Sequence, residues 1–200
     1  MQRRYLSMNS FCSPEELSLI GFGSLGKNVK ISRKASFYNP ERILIADNVR
    51  IDDFCMLSGG SGLTIDSFVH VSAFVAMYAG SGIAIGHGCS ISPFTAIFSE
   101  SDDFSGDSLV NPWYSRDFKP GYKAGKVILK DYVSVGSHCV IVPRVTLHEG
   151  AAVLANSLVL SDCEEWSIFC GTPAKKIKNR SKALLELERE CLLKQHSRQR

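Results

Sequence analysis

His70 is the side chain in this sequence best placed to act as a general base. It lies between Val69 and Val71 in a short strand pattern whose valines face inward, so its imidazole projects outward. A neutral imidazole, with an ordinary pKa of about 6.5, can accept a proton from an attacking hydroxyl or amine. The other reading is a surface or interface histidine without chemistry. His87, His138 and His148 fall at turn positions, where a polar residue needs no function.

Asp102 and Asp103 are the predicted partners of His70. Both lie in a long segment without strand patterning, and a carboxylate that reaches the imidazole from there would orient it and stabilise the imidazolium. Either aspartate becomes the next candidate base if His70 is not the base. Two adjacent acidic residues in a loop can also be solvated or form a turn, which would leave them without a catalytic role.

Apolar residues that return every twenty positions predict the strands that position these side chains. These apolar positions, called rungs below, are separated by six, six and eight residues. Such spacings fit neither an α-helix nor one long strand, and they predict three short strands per turn of a coil. The rungs are Leu25, Ile45, Ile65 and Ile85, then Ile31, Ile51, Val71 and Ile91, then Phe37, Leu57, Met77 and Ile97.

The rungs resume after an interruption, with a period of eighteen, at Leu129, Val135 and Ile141 and then at Leu147, Val153 and Val159. The sequence therefore predicts coils over residues 25–97 and 127–160. Residues 98–126 form a loop that projects from the stack, and a loop of this length inside a compact repeat is usually functional.

Both ends of the stack carry helix signals. Ser13, Pro14 and Glu16 form a capping box with proline at the first helical position, which predicts a short helix within residues 13–22 that covers the first open coil. Residues 174–200 are expected to form a tail and helix. Its apolar stripe, with Leu187 at the centre, would pack on the chain's own body or on a partner subunit.

Composition limits the class of protein. The 200 residues are 44% hydrophobic, which is enough for one domain with a core, and a net charge of +3 is too mild to indicate a nucleic-acid partner. We see no signal peptide and no apolar run that would span a membrane. Seven cysteines without a Cys-x-x-Cys pair include Cys55, Cys89 and Cys139 on inward rungs, so we expect a reducing, cytoplasmic location.

The coils, the interrupting loop and the closing sequence from Gly171 to Ile177 resemble the hexapeptide-repeat acyltransferases. The chain is similar to the sugar acetyltransferases of bacterial surface-polysaccharide synthesis, including galactoside-acetyltransferase-like members. Segments that carry this likeness are Val69–Val71, Ser101–Gly106 and Asn111–Pro112. The resemblance implies an all-β, left-handed parallel β-helix with a short N-terminal helix, a long inserted loop and a C-terminal helix.

The resemblance also implies an activity. It predicts direct transfer of acetyl from acetyl-coenzyme A to a hydroxyl or amine of a sugar or nucleotide sugar, assisted by a general base. The enzyme would be a homotrimer with active sites between subunits, acting in O-antigen, capsule or lipopolysaccharide biosynthesis. O- and N-acetylation need the same donor and the same base, so the residues do not distinguish them.

Cofactor-binding and acceptor-binding residues follow from the same likeness. The pantetheine arm of the cofactor would lie along the last coils, near Gly136, Ala155 and Ser157, and Lys175 and Lys178 would face its phosphates. Both lysines could equally be solvated. The acceptor-binding candidates are Asn111, Trp113 and Tyr114, whose two aromatic rings suit stacking on a sugar or a base.

One departure from the family pattern leaves alternatives open. Many galactoside-type relatives carry a catalytic histidine just after the third-face rung, where this chain has Ser101, Asp102 and Asp103. A catalytically inactive trimeric scaffold is therefore one alternative. A metalloenzyme like the γ-class carbonic anhydrases is another, but it needs three histidines on one zinc, and only His70 projects outward from a strand. We expect no metal.

Overall fold

Three parallel sheets wind into a β-helix of about seven turns. The computed structural model describes residues 10–198, with side chains up to residue 194. The first sheet contains β1 (Ser24–Leu25), β4 (Ile43–Ile45), β7 (Leu63–Ile65), β10 (Ile83–Ile85), β15 (Val127–Leu129) and β18 (Thr146–Leu147). The third contains β3 (Ser36–Tyr38), β6 (Met56–Ser58), β9 (Ala76–Tyr78), β12 (Ala96–Phe98), β17 (Val140–Ile141) and β20 (Leu158–Val159).

The second sheet is longer and carries His70. It contains β2 (Lys30–Ile31), β5 (Arg50–Ile51), β8 (His70–Val71), β11 (Ser90–Ile91), β16 (Ser134–Val135), β19 (Ala152–Val153), β21 (Ser167–Cys170) and β22 (Lys175–Asn179). Its pairing is parallel up to β21, which pairs antiparallel with β22. Strands therefore continue past residue 160, and β22 occupies part of the segment for which the sequence predicts a tail and helix.

The core is the stack of inward rungs that the twenty-residue period predicts. Ile31, Ile51, Val71 and Ile91 are fully buried, and each pairs with the next in register. Because the side chains of a strand alternate between its two faces, the residue before each rung faces outward. This outward column runs Lys30, Arg50, His70 and Ser90, and it places the imidazole of His70 outside the core.

Three edges join the sheets, and they organise the site. The second edge, between the second and third sheets, consists of the corners at residues 32–35, 52–55, 72–75, 92–95, 136–139 and 154–157. The third edge, between the third and first sheets, consists of the corners at residues 39–42, 59–62, 79–82 and 142–145 and of the inserted loop. The loop, residues 98–126, holds a small antiparallel ribbon of β13 (Glu100–Ser101) and β14 (Lys123–Ala124).

A helix lies at each end. Helix α1 (Pro14–Ile20) has the predicted capping box on Ser13 and ends at Gly21, whose φ of 79° suits glycine. Its Leu17 joins the core at the start of the stack. Helix α2 (Ala183–Arg198) contacts the coils through Glu188, which bonds to His87 and Tyr132, while Leu187 is largely exposed. The apolar stripe of α2 therefore does not pack its Leu187 onto the chain's own coils.

Candidate active site

His70 is half-exposed on the second sheet and is oriented by a carboxylate that the sequence reading did not select. Its Nε2 lies 2.8 Å from Oδ2 of Asp52, one coil earlier. Arg50 donates from Nε to the other oxygen of Asp52 at 2.7 Å. The contact between Asp52 and His70 could have been predicted from the twenty-residue period. Arg50 pairs with His70, and Asp52 lies two residues after Arg50 on the same face of the sheet.

The electrostatics of this pair favour a specific tautomer. Burial raises the pKa of Asp52, but hydrogen bonds from His70 and Arg50 outweigh it and hold the pKa below its usual value. An ionised Asp52 only accepts hydrogen bonds, so a neutral His70 donates from Nε2–H. Nδ1 then carries the lone pair of the neutral ring, which can accept a proton from a substrate.

Asp102 lies in the inserted loop, and both of its carboxylate oxygens are bonded. Lys119 donates from Nζ to Oδ1 at 3.1 Å, and the backbone N–H of Asn111 donates to Oδ2 at 3.2 Å. The hydrogen bond from Asn111, and after it the one from Lys119, lowers the pKa of Asp102. Each carboxylate oxygen has a second lone pair, so Asp102 can still accept a hydrogen bond from a ligand.

Asp103 is held by its own loop neighbours. Ser105 donates to it from Oγ at 2.6 Å and from its backbone N–H at 3.1 Å, and Ser108 donates from Oγ at 3.1 Å. These contacts, led by that of the Ser105 hydroxyl, lower its pKa. Both aspartates are therefore bonded within the loop, and in one chain it is Asp52 that bonds to His70.

Gly136 and Ala155, two of the predicted cofactor-binding residues, lie next to each other on the second edge. The approach is so close that a Cβ on Gly136 would lie 2.5 Å from the backbone nitrogen of Ala155. Ser157 is buried, its hydroxyl donates to Leu154 O at 2.7 Å, and it accepts from Gly171 N–H at 3.1 Å. The side chain of Ser157 thus holds two corners together and does not face solvent.

Lys175 and Lys178 are exposed on strand β22. They pair in register with Cys170 and Ile168 of β21. The adjacent Lys176 donates to Glu164 at 2.8 Å. Both predicted phosphate-binding lysines therefore lie on a strand at the end of the stack that carries Gly136 and Ala155.

The predicted acceptor-binding residues lie in the inserted loop with Asp102. The side-chain oxygen of Asn111 accepts from Trp113 N–H at 3.0 Å, and its backbone carbonyl accepts from Lys119. The ring of Trp113 is 93% exposed and that of Tyr114 is 48% exposed. In one chain, both aromatic rings are therefore available to a ligand or to a second subunit.

A ladder of stacked rings runs along the second edge. Phe54, Phe74, Phe94 and His138 stack with centroids 5.0, 4.7 and 4.8 Å apart. Each of the four has φ near 60°, a conformation that is unusual for bulky side chains. The three phenylalanines remain about half-exposed, so this aromatic ladder is an apolar strip beside His70 and Ser92.

Two further absences concern the described part of the chain. Among residues 10–198, no group of three His, Cys, Asp or Glu side chains is arranged to hold a metal ion. No helix within that range is both long and apolar enough to cross a bilayer.

Comparison with known proteins identifies relatives along nearly the whole chain. The dTDP-4-amino-4,6-dideoxy-D-glucose acyltransferase of Escherichia coli is 40% identical over 174 residues, which cover 86% of this chain and 90% of that protein. AntD, an N-acyltransferase from Bacillus cereus solved with dTDP and 3-hydroxybutyryl-CoA, is 48% identical. It superimposes with a TM-score of 0.91 over 94% of this chain and 100% of its own. No protein-family model matches the sequence.

A more distant neighbour supports the fold alone. A hexapeptide-repeat-containing acetyltransferase from Vibrio cholerae is 21% identical, with a TM-score of 0.59 over 88% of this chain and 84% of its own. The predicted left-handed parallel β-helix with two helices is confirmed, as are the resemblance to hexapeptide-repeat acyltransferases and the prediction of an enzyme. The chain belongs to the dTDP-sugar N-acyltransferases, whose members are built on this β-helix.

Proposed function

We propose that this enzyme transfers an acyl group from acyl-coenzyme A to the amine of a dTDP-linked amino sugar. Two relatives support this substrate: one is named for dTDP-4-amino-4,6-dideoxy-D-glucose, and a serine-to-cysteine variant of AntD was solved with that compound and coenzyme A. Acetyl-CoA remains the predicted donor, and 3-hydroxybutyryl-CoA is the donor found in AntD.

The observation that supports this function for the present chain is a serine and an aspartate ten residues apart. AntD was studied with substitutions at one aspartate and at one serine ten residues before it. In the present sequence, a serine followed ten residues later by an aspartate occurs once, at Ser92 and Asp102. Asp102 is one of the two loop aspartates predicted from the sequence, and Ser92 lies on the second edge. We propose that both face the acceptor.

The proposed reaction is an aminolysis of a thioester. The amine nitrogen attacks the thioester carbonyl, a C–N bond forms and the C–S bond breaks. The nitrogen loses one proton, and the leaving thiolate takes up one, so the products are an amide and free coenzyme A. Asp102 accepts an N–H of the amine and aims its lone pair. His70, oriented by Asp52, accepts the proton that the nitrogen loses.

A single chain keeps these groups apart, because Asp102 lies on the third edge and His70 lies beside the second. We propose a homotrimer in which the inserted loop of one subunit reaches the second edge of the next. The half-exposed aromatic ladder supports this, since monomeric proteins rarely expose contiguous apolar strips. Threefold closure would cover the ladder and create three equivalent clefts.

We expect the trimer to show itself by complementation. In a random one-to-one mixture of His70→Ala and Asp102→Asn chains, about one cleft in four receives both wild-type side chains if adjacent subunits supply them. About a quarter of the wild-type activity should therefore return after co-refolding. Light scattering that shows a monomer at micromolar concentration, or a mixture that stays inactive, would contradict the shared cleft.

We also propose a cytoplasmic location and a role in surface-glycan synthesis. Cys55, Cys89, Cys139 and Cys163 are buried without a disulfide, as suits a reducing compartment. The acceptor of the relatives carries a nucleoside diphosphate, the usual leaving group when a sugar is later transferred to a glycan. The C-terminal lysines, Lys175 and Lys178 among them, would meet the phosphates of coenzyme A.

Two acceptors that differ in one atom group test the proposed function. Release of free thiol from acetyl-CoA and from 3-hydroxybutyryl-CoA is followed with dTDP-4-amino-4,6-dideoxyglucose and with the matching 4-hydroxy sugar. We expect thiol release with the amine only, because a neutral amine is the stronger nucleophile. Equal rates with both sugars would favour O-acylation. No release with either sugar would favour the inactive scaffold.

A further inference from the structure

Lys119 is the one buried charged side chain among the described residues of the inserted loop. It is 7% exposed, whereas Phe104 and Trp113 in the same loop are 87% and 93% exposed. Lysine is almost never fully buried unless it is paired, since removing an ammonium from water is expensive. The loop therefore exposes several large apolar side chains to solvent while it buries the ammonium-bearing side chain of Lys119.

The contacts of Lys119 show where that charge acts. Its Nζ donates to Oδ1 of Asp102 at 3.1 Å and to the backbone carbonyl of Asn111 at 2.5 Å. The N–H of Asn111 in turn donates to Oδ2 of Asp102. The ammonium also lies 5.7 Å from the ring centroid of Tyr122, whose hydroxyl donates to Glu100. One lysine thus joins three separate parts of the loop around a single carboxylate.

The pair is asymmetric in a way that suits substrate binding. Asp102 keeps a quarter of its side chain exposed, at 26%, while the side chain of Lys119 is 6% exposed. Lys119 is therefore the inner partner and Asp102 the outer one. The lysine cannot leave for solvent without disrupting the loop, so it fixes the rotamer of Asp102 and the direction of its free lone pairs.

We propose that Lys119 is a positioning residue for acyl transfer, which holds Asp102 ionised and aimed at the amine of the amino-sugar acceptor. This inference rests on the proposed function. Lys119 itself does not touch the substrate; it acts through Asp102. An ionised carboxylate accepts an N–H of the amine strongly, whereas a protonated or rotated Asp102 would offer a donor or no partner at all.

The charged and titratable groups around Asp102 agree with this role. Lys119 lies against it, and the Arg116 guanidinium, which covers the Tyr122 ring at 3.5 Å, adds a second positive charge nearby. Glu100 is the opposing acid, and it is bonded to Tyr122 and to Arg116 rather than to Lys119. Within the described loop, the positive charge of Lys119 is thus directed to Asp102.

A double-mutant cycle tests whether Lys119 acts through Asp102. Lys119→Met keeps the length of the side chain and removes its charge, and we expect kcat/KM for the amino sugar to fall about 10–100-fold. In an Asp102→Asn background, the same substitution should cost less than about threefold, because its target is already gone. Full additivity of the two losses would overturn the proposal.

A carboxyl titration gives a second reading that does not need activity. In carbon-13 NMR spectra, the resonance of Asp102 is assigned by its loss in Asp102→Asn. Lys119→Met should raise the pKa of Asp102 toward its ordinary value, and Lys119→Arg should keep it low. Lys123→Met removes an exposed lysine from the same loop and is the matched control, which should leave this pKa unchanged. An unmoved pKa in Lys119→Met would contradict the pairing.

The two readings separate this inference from the proposed function. A wild-type enzyme that forms no amide would overturn the proposed function and the catalytic role of Lys119 with it, while the titration would still decide the pairing. An active wild type with an additive cycle would leave the proposed function intact and remove Lys119 from it. Circular dichroism and thermal unfolding confirm that each variant is folded.

Discussion

Replacing Asp102 by asparagine is expected to lower kcat/KM for the amino-sugar acceptor by about 10²-fold, because one charge-assisted hydrogen bond to the reacting amine is lost. The substitution keeps the shape of the side chain, and its amide oxygen can still accept from Lys119 or Asn111. Folding should therefore be preserved. Thiol release at varied acceptor concentration measures the effect, and we expect most of it in kcat if Asp102 aims the lone pair of the nitrogen.

Asp103→Asn is the matched comparison for this experiment. The two aspartates are adjacent and both have lowered pKa values, but Asp103 bonds to Ser105 and Ser108, whereas Asp102 pairs with a buried lysine. We expect the Asp103 variant to lose activity in the same direction by less than about tenfold. Equal losses would mean that the order of the loop, and not the carboxylate of Asp102, limits the reaction.

Replacing His70 by alanine is expected to lower kcat by roughly 10²–10⁴, the range for removal of a positioned acid–base group. The fold should not change, because the imidazole lies outside the core and its side-chain hydrogen bond within the described part of the chain is to the carboxylate of Asp52. The loss should be measured at saturating acyl-CoA and acceptor. Asp52→Asn should act in the same direction but more weakly, since the base remains and only its orientation and tautomer are released.

His148→Ala provides the control for this second prediction. His148 lies at a corner of the first edge, between the first and second sheets, and has no proposed part in the site. Its replacement should leave kcat within about twofold. If His70→Ala retains full kcat on the acceptor, His70 is not the base. Asp102 or Asp103 would then be the next side chain to test as the proton acceptor.

The β-helix was predictable because its signal is local and repeated. Ile51 and Val71 are separated by one full coil and pair in register. The same spacing recurs in every coil of the first stretch, so many residue pairs independently predict the same fold. The end of the stack was less predictable. Phe169 pairs with Val153 after sixteen residues, and β22 then returns antiparallel, so neither strand continues the eighteen-residue period.

The site was predictable only in part, for a physical reason. His70 could be placed because a strand fixes the direction of its side chain, and its partner Asp52 stands on the same ladder. Asp102 and Lys119 lie seventeen positions apart in a loop without periodicity, so their pairing could not be predicted from the sequence. Contacts between subunits have no signature in one chain beyond the exposed aromatic ladder.

The chemical nature of the product tests the central claim most directly. The purified enzyme is incubated with acetyl-CoA or 3-hydroxybutyryl-CoA and dTDP-4-amino-4,6-dideoxyglucose, and the nucleotide sugar is analysed by mass spectrometry before and after neutral hydroxylamine. We predict that the sugar gains one acyl group and that hydroxylamine leaves it in place, because an amide resists this nucleophile and an ester does not. An unchanged sugar mass, or an acyl group that hydroxylamine removes, would contradict N-acyl transfer to the amino sugar.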